Sequence, residues 1–255
     1  MYEMKQGQNG KKFVEKESVP AIFHATDGNS KTGKAGNYNL SIEYTCSHKC
    51  ECYSKGNCYA CHGCYQFASN QAQYTENYNY YLQNDAETIA QTITDYIKQK
   101  KLSLFRYFTC GDIPGEKFMH VMAIAAVKNP SVKFWTYTKK YHIVNAFVDK
   151  YGNDAIPENL VIIFSHWLND NGDYFPMNNK YNFPTSEFIP LGKEELTKTV
   201  THICPCSDPT VNVTCATCDH ACYTLKHGES MALLEHSTQR TKERDKAIKA
   251  EKAKH

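Results

Sequence analysis

Strand and helix patterns alternate along the middle of this chain, and the alternation limits the folds that the sequence can adopt. Strand patterns are predicted over residues 37–45, 102–109, 132–138 and 160–165, with short strands at 186–190 and near 200–203; helical patterns are predicted over residues 67–83, 84–100, 114–128 and 140–150. Repeated strand–helix–strand units form parallel sheets through right-handed crossovers. The sequence therefore predicts an α/β fold, a partial (β/α) barrel of about six strands.

The helix predicted over residues 84–100 carries the clearest local signals. Asn84 is placed to cap it, with Glu87 at the position of a capping box. Ile89, Ile93 and Ile97 recur at helical spacing and predict one buried apolar stripe.

Cysteine is concentrated in two short polar segments. The chain has twelve cysteines, of which six fall within residues 46–64 and five within residues 204–222, while Cys110 stands apart and suits a small buried apolar residue. Thiolates at gaps of two or three residues can converge on one metal or iron–sulfur centre. Disulfides are the alternative, but residues 1–19 lack a signal-peptide pattern and clustered cysteines of reducing compartments are more often ligands. We therefore expect a cytoplasmic, metal-binding protein.

Charge and hydropathy restrict the partners. The formal net charge is +2, which provides no broad basic surface for nucleic acid. No apolar run approaches the ~20 residues that a membrane-spanning helix needs. We expect a polar arm over residues 1–36, one α/β domain over 37–227, and a charged helical tail over 228–255.

The cysteine segments are predicted to lie on one edge of the sheet. The first follows the opening strand, Cys110, Gly111 and Asp112 follow the next, and the second cysteine segment follows a late strand. Ligand sites of parallel α/β folds collect at the carboxyl ends of the strands. We therefore expect a cofactor or small-molecule ligand at this rim.

Several motifs, in this order and with these gaps, resemble the gene product 88-like proteins of bacteriophages and prophages, over most of residues 30–230. They are Thr45-Cys46 with Cys50, Gly56-Asn57-Cys58-Tyr59-Ala60, Phe105-Arg106, Gly111-Asp112, Tyr137-Thr138-Lys139, Cys204-Pro205, Cys215-x-x-Cys218-x-x-x-Cys222 and His227-Gly228. These proteins look like relatives of radical S-adenosylmethionine (SAM) barrels. The chain departs from the pattern with extra thiols at Cys52, Cys61, Cys64 and Cys206, and it lacks a CxxxCxxC motif.

For the first segment, the resemblance implies that Cys46, Cys50 and Cys58 hold a [4Fe-4S] cluster with one iron open to a cofactor. Cys58, Cys61 and Cys64 form an alternative trio on spacing alone. The six thiols could also serve two centres, and a zinc loop would use the same ligand type.

For the second segment, Cys204, Cys215, Cys218 and Cys222 supply four thiolates, which suits a closed [4Fe-4S] cluster that transfers electrons or braces the fold. A structural zinc held by the same four is the alternative, and Cys206 is a spare thiol nearby.

Three further residues are candidates for cofactor binding. The resemblance implies that Asp112, after Gly111, accepts a hydrogen bond from an amino group of bound S-adenosylmethionine; a plain Gly-Asp turn is the alternative. Arg106 lies in an otherwise apolar strand and needs an anion, either a substrate or cofactor carboxylate or a structural carboxylate of the chain.

Two classes of function follow. The first is an iron–sulfur protein with two or more [4Fe-4S] clusters, acting in electron transfer with a redox partner protein or in SAM-dependent chemistry as an oxidoreductase or transferase. The second is a zinc-stabilised binding module without catalysis. Colour separates them, because iron–thiolate centres absorb visible light and zinc does not.

Overall fold

The computed structural model describes residues 2–7, 11–29, 32–47, 50, 58–167, 177–189, 197–198, 200–207, 211–219 and 222–234. Within these ranges the chain forms a mixed α/β structure around a parallel sheet. Its strands are β3 (Gly36–Tyr38), β4 (Leu104–Tyr107), β5 (Lys133–Thr138), β6 (Leu160–Trp167), β7 (Thr185–Ile189), β8 (His202–Ile203) and β9 (Ser230–Leu234). A separate antiparallel pair, β1 (Met4–Gln6) and β2 (Lys12–Val14), precedes them.

The seven described strands of the sheet lie in the order β3-β4-β5-β6-β7-β9-β8, and every neighbouring pair is parallel. The expected parallel α/β architecture is confirmed. The described sheet is open and not closed into a barrel, with β3 at one edge and β8 at the other. The first five strands follow chain order, so each crossover adds its strand on the same side, and right-handed crossovers then place their helices on one face.

Five α-helices are described: α1 (Ile42–Thr45), α2 (Ala68–Gln83), α3 (Ala86–Lys100), α4 (Glu116–Lys128) and α5 (Tyr141–Tyr151). The last four confirm predicted helices. The stripe of Ile89, Ile93 and Ile97 on α3 is buried, as expected. The cap differs: the Asp85 carboxylate, and not Asn84, accepts the hydrogen bond from the Thr88 backbone N–H at 2.8 Å.

Two of the predicted secondary-structure elements are wrong. The strand predicted over residues 37–45 ends at Tyr38, because the next backbone donors leave the sheet: Leu40 N–H bonds the Cys110 carbonyl and Ser41 N–H bonds the Tyr74 carbonyl. The helix expected from residue 228 onward is a strand over Ser230–Leu234, because parallel pairing with β7 and β8 satisfies its backbone. Residues 235–255 lie outside the described ranges.

The N-terminal arm is more ordered than expected. Strands β1 and β2 pair with each other, and Val14 is fully buried in a small apolar cluster with Val19 and Ala72 of α2. The expected domain boundaries stay predictions.

The two faces of the sheet are covered differently, and this difference positions the cysteines. Phe105, Tyr107 and Phe134 point into the large core shared with the helices. Leu104 and Trp135 alternate with them and point to the opposite face, where the turns of the second cysteine segment pack. Among the described residues, no helix is long and apolar enough to cross a membrane.

Candidate metal centres

The first cysteine segment joins α1 to α2 through short 3-10 turns, Tyr59–Cys61 and Gly63–Gln66. Four of its thiols and a fifth from the end of β4 share one apolar cluster with Ile42, Ala60, Tyr65 and Tyr74; the five are Cys46, Cys50, Cys58, Cys61 and Cys110. The structure thus brings the three family-matching cysteines together, with Cys61 beside them. Cys64 is exposed and lies outside this cluster. Cys52, Gly56 and Asn57 lie outside the described residues.

Cys110 is a small buried residue of an apolar cluster, as expected, but the sequence did not place it with the first cysteine segment. Its thiol is 1% exposed, and its carbonyl accepts a hydrogen bond from Leu40 N–H at 3.0 Å, which joins the ends of β3 and β4. Its position directly after a predicted strand, on the same rim as the first segment, was the available signal. Its lone position in the sequence favoured a packing role instead.

Burial controls the protonation of these thiols. It raises the pKa of Cys46 and of Cys110 well above the ordinary value. The Asp112 carboxylate adds to the shift of Cys46, and the Cys58 thiol adds to both. The Cys61 pKa is also raised, mainly by its hydrogen bond with Cys58. Such thiols ionise readily only when a positive charge, such as a metal, is supplied.

Gly111 has a structural role in the turn after β4. Its φ is +88°, and a Cβ there would lie 2.5 Å from the Leu40 carbonyl oxygen. Glycine alone adopts this conformation at low cost and leaves room for the neighbouring backbone.

Asp112 is buried and holds the end of β5. Its carboxylate accepts hydrogen bonds from Thr138 Oγ1 at 2.6 Å, from Ile113 N–H at 2.7 Å and from Lys139 N–H at 3.0 Å. Burial raises the pKa of this carboxyl, and these hydrogen bonds oppose the shift. The residue therefore clamps two strand ends, whatever else it binds.

Arg106 lies on β4 with its guanidinium over the Tyr137 ring, 4.9 Å from the ring centroid. Its Nε is buried without a hydrogen-bond partner among the described residues, and none of their carboxylates lies within ion-pair distance of it. The Arg106 charge acts on Tyr65 beside the first cluster and on Cys222 in the second segment. It therefore lies between the two sets of thiols.

The second cysteine segment lines a small, partly open cavity against the face of the sheet that carries Trp135. Five thiols line it together with Trp135 and Tyr223; they are Cys204, Cys206, Cys215, Cys218 and Cys222. The four predicted ligands are thus brought together, and Cys206 joins them as a wall of the same cavity.

Hydrogen bonds already polarise some of these thiols. The Cys206 thiol hydrogen-bonds Cys204 and lowers the Cys204 pKa, while its own pKa is raised. Burial raises the pKa of Cys222 to about 12, against a hydrogen bond from the Tyr137 hydroxyl, which lies 2.6 Å from Cys222 Sγ. Tyr137 belongs to one of the sequence motifs, but its contact with Cys222 is not evident from the sequence.

None of the eleven described cysteines forms a disulfide. As they stand, no three His, Cys, Asp or Glu side chains in the described part of the chain meet closely enough to hold one metal ion.

The family model described as gene product 88 matches residues 3–182 of the chain. The chain belongs to the gene product 88 family. This is a phage-type protein family. Comparisons with curated proteins and with solved structures give no match.

The gene product 88 match covers the first cysteine segment but not the second. It includes the first cysteine cluster, Arg106, Gly111, Asp112 and Tyr137. It ends before Cys204, so the resemblance that the sequence suggested over most of residues 30–230 is not supported beyond residue 182. The match begins at residue 3, earlier than the resemblance suggested, and includes the β1–β2 pair. The radical SAM relationship has no support among the comparisons.

Proposed function

We propose that this member of the gene product 88 family is an iron–sulfur protein with two thiolate-held centres. The observation that carries the proposal is the cavity walled by five cysteines against Trp135 and Tyr223. Five thiols packed for stability alone would be distributed among apolar neighbours across the core, as single buried cysteines are. Here they surround a shared space.

The donor set of the second site fits a closed [4Fe-4S] cluster. Such a cluster takes four thiolates, and Cys204, Cys215, Cys218 and Cys222 supply them, with Cys206 hydrogen-bonded to Cys204 and Cys215. The sulfurs do not lie at ligand distances as they stand, so the short turns that carry them would have to move when a cluster binds.

The first site fits a second centre. Cys46, Cys50 and Cys58 form its ligand set, and Cys61 and Cys110 are buried beside them in the same cluster. When bound, a cluster of this kind supplies one-electron transfer, and one with an open iron also supplies a site for S-adenosylmethionine. Arg106 would provide positive charge near an anionic ligand, and Asp112 would set the end of β5 beside Cys46.

Anaerobic purification tests the proposal. We expect a brown protein with visible thiolate-to-iron absorbance and with iron and acid-labile sulfide in near-equal amounts. Cys222→Ala should reduce the iron and the sulfide content, because Cys222 lines the cavity of the second cysteine segment. Cys64→Ala is the matched control, since Cys64 is exposed and outside both sets of thiols. A colourless protein with stoichiometric zinc would contradict the iron–sulfur assignment and support the zinc-stabilised module.

The finer proposal of SAM chemistry has its own test. If the first centre has an open iron, adding S-adenosylmethionine to the reduced protein should change the EPR signal of that centre. The change should disappear in Cys58→Ala while the signal of the second centre persists. An EPR spectrum indifferent to S-adenosylmethionine would restrict the function to electron transfer or to structural support.

A further inference from the structure

Two side chains outside the cysteine segments reach toward the second centre. Tyr137 on β5 donates its hydroxyl hydrogen bond to Cys222 Sγ at 2.6 Å. Arg106 on β4 pairs in register with Trp135, so that Arg106, Trp135 and Tyr137 share the face of the sheet on which the cavity lies. The Arg106 guanidinium covers the Tyr137 ring at 4.9 Å.

These contacts connect Arg106 to the Tyr137 ring and the Tyr137 hydroxyl to Cys222. A cation over the face of a phenol ring withdraws electron density from it, and the hydroxyl becomes a stronger donor. The acceptor of that hydroxyl is a sulfur among the proposed ligands of the second centre. The series therefore runs from Arg106 through Tyr137 to Cys222.

The proposed thiolate ligands of the second centre also provide an anion for Arg106. A buried guanidinium needs negative charge nearby, and within the described residues no carboxylate lies within ion-pair distance. The nearby acidic groups are the hydroxyls of Tyr59, Tyr137 and Tyr65 and the thiols of Cys215 and Cys222. Burial raises the pKa of the three tyrosines. Thiols deprotonate when they bind a metal, and four thiolates around a cluster would make a net anion.

We propose that Arg106 and Tyr137 are positioning residues that tune the second centre, with Tyr137 holding the Cys222 thiolate by a hydrogen bond and Arg106 neutralising its charge. The inference rests on the proposed thiolate-held centre. Hydrogen bonds to ligand sulfurs and nearby positive charge both stabilise the more negative, reduced state. The two residues therefore raise the reduction potential of the second centre.

The test is a redox titration followed by EPR. Tyr137→Phe keeps the ring and removes the hydroxyl, so we expect a more negative midpoint potential with unchanged iron content. A tenfold change in the reduction equilibrium is the expected size, which is about 59 mV for a one-electron couple. Tyr223→Phe is the matched control: Tyr223 lines the same cavity, but its hydroxyl donates to the Cys215 backbone carbonyl at 3.4 Å. It should leave the potential unchanged.

Arg106→Gln provides a second, independent readout. It should also make the potential more negative, and it should do so less in the Tyr137→Phe background, because part of its effect passes through the phenol. Equal potentials in wild type, Tyr137→Phe and Arg106→Gln would overturn the proposal. So would a shift in Tyr223→Phe as large as that in Tyr137→Phe.

If the protein contains zinc, the proposed iron–sulfur function is contradicted, but the hydrogen bond from Tyr137 to Cys222 can still be tested. In that case the rate of zinc release to a chelator replaces the potential. Release that is faster in Tyr137→Phe than in Tyr223→Phe would support the hydrogen bond to a ligand thiolate, and equal rates would overturn it.

Discussion

Replacing Asp112 with alanine should destabilise the protein strongly, because this carboxylate joins the ends of two neighbouring strands. It accepts three hydrogen bonds, from the Thr138 hydroxyl and from the backbone N–H groups of Ile113 and Lys139. The side chain is 7% exposed, so water cannot easily take its place. Alanine would leave buried donors without acceptors.

The magnitude follows from these contacts. A hydrogen bond to a charged group contributes about 1.5–3 kcal/mol, so three give roughly 4.5 kcal/mol or more. Burial of the carboxylate, which raises its pKa, offsets part of this gain. A net loss on the order of 3 kcal/mol is expected for Asp112→Ala. Asp112→Asn should lose less, since its amide oxygen can still accept from Thr138 and Ile113.

Urea unfolding followed by circular dichroism measures this loss, with metal content determined on the same samples so that loss of a centre is not mistaken for loss of the clamp. Asp154→Ala, at an exposed carboxylate, should change the free energy of unfolding by no more than about 0.5 kcal/mol. An Asp112→Ala protein as stable as wild type would refute the clamp. Loss of a SAM-dependent signal at full stability would assign the carboxylate to the cofactor instead.

Three further predictions concern the first cysteine cluster, the turn after β4 and the N-terminal cap of α3. Cys58→Ala should lower bound metal while Cys64→Ala does not, measured by metal analysis; equal losses would contradict the grouping of thiols seen here. Gly111→Ala should cost about 1–3 kcal/mol in backbone strain alone, and more through contact with Leu40, so a urea midpoint like that of wild type would disprove the requirement for glycine. Asp85→Ala should cost about 1 kcal/mol through loss of the α3 cap, and Asp85→Ser should restore most of it in the same assay.

Local patterns in the sequence were sufficient for most helices and strands. The isoleucine stripe of α3 determined which face of that helix is buried, since residues three or four apart lie on one side of any helix. The cap lies one residue later than the sequence predicts because Asn84 and Asp85 are both good capping residues, and the Asn84 side chain instead donates to the Tyr80 carbonyl. Such a choice depends on packing at the end of the preceding helix.

The C-terminal part of the chain shows the limit of local patterns. The run Ser230–Leu234 is short and apolar, and periodicity cannot distinguish a helix from a strand in such a run. The segment forms a strand because β7 and β8 pair with it on either side, and both strands are distant from it in the local sequence pattern.

The sequence by itself determined that thiols gather in two turn-rich segments, because the spacing of cysteines is a local property. Only the tertiary structure decided which other residues join them. Cys110 enters the first cluster because parallel strands bring the ends of β3 and β4 together, although 52 residues separate Cys58 from Cys110 in the sequence. Tyr137 reaches Cys222 across 85 residues because alternate side chains of β5 face the turn that carries this thiol. Contacts between residues so distant in sequence depend on sheet order and register, which no local pattern encodes.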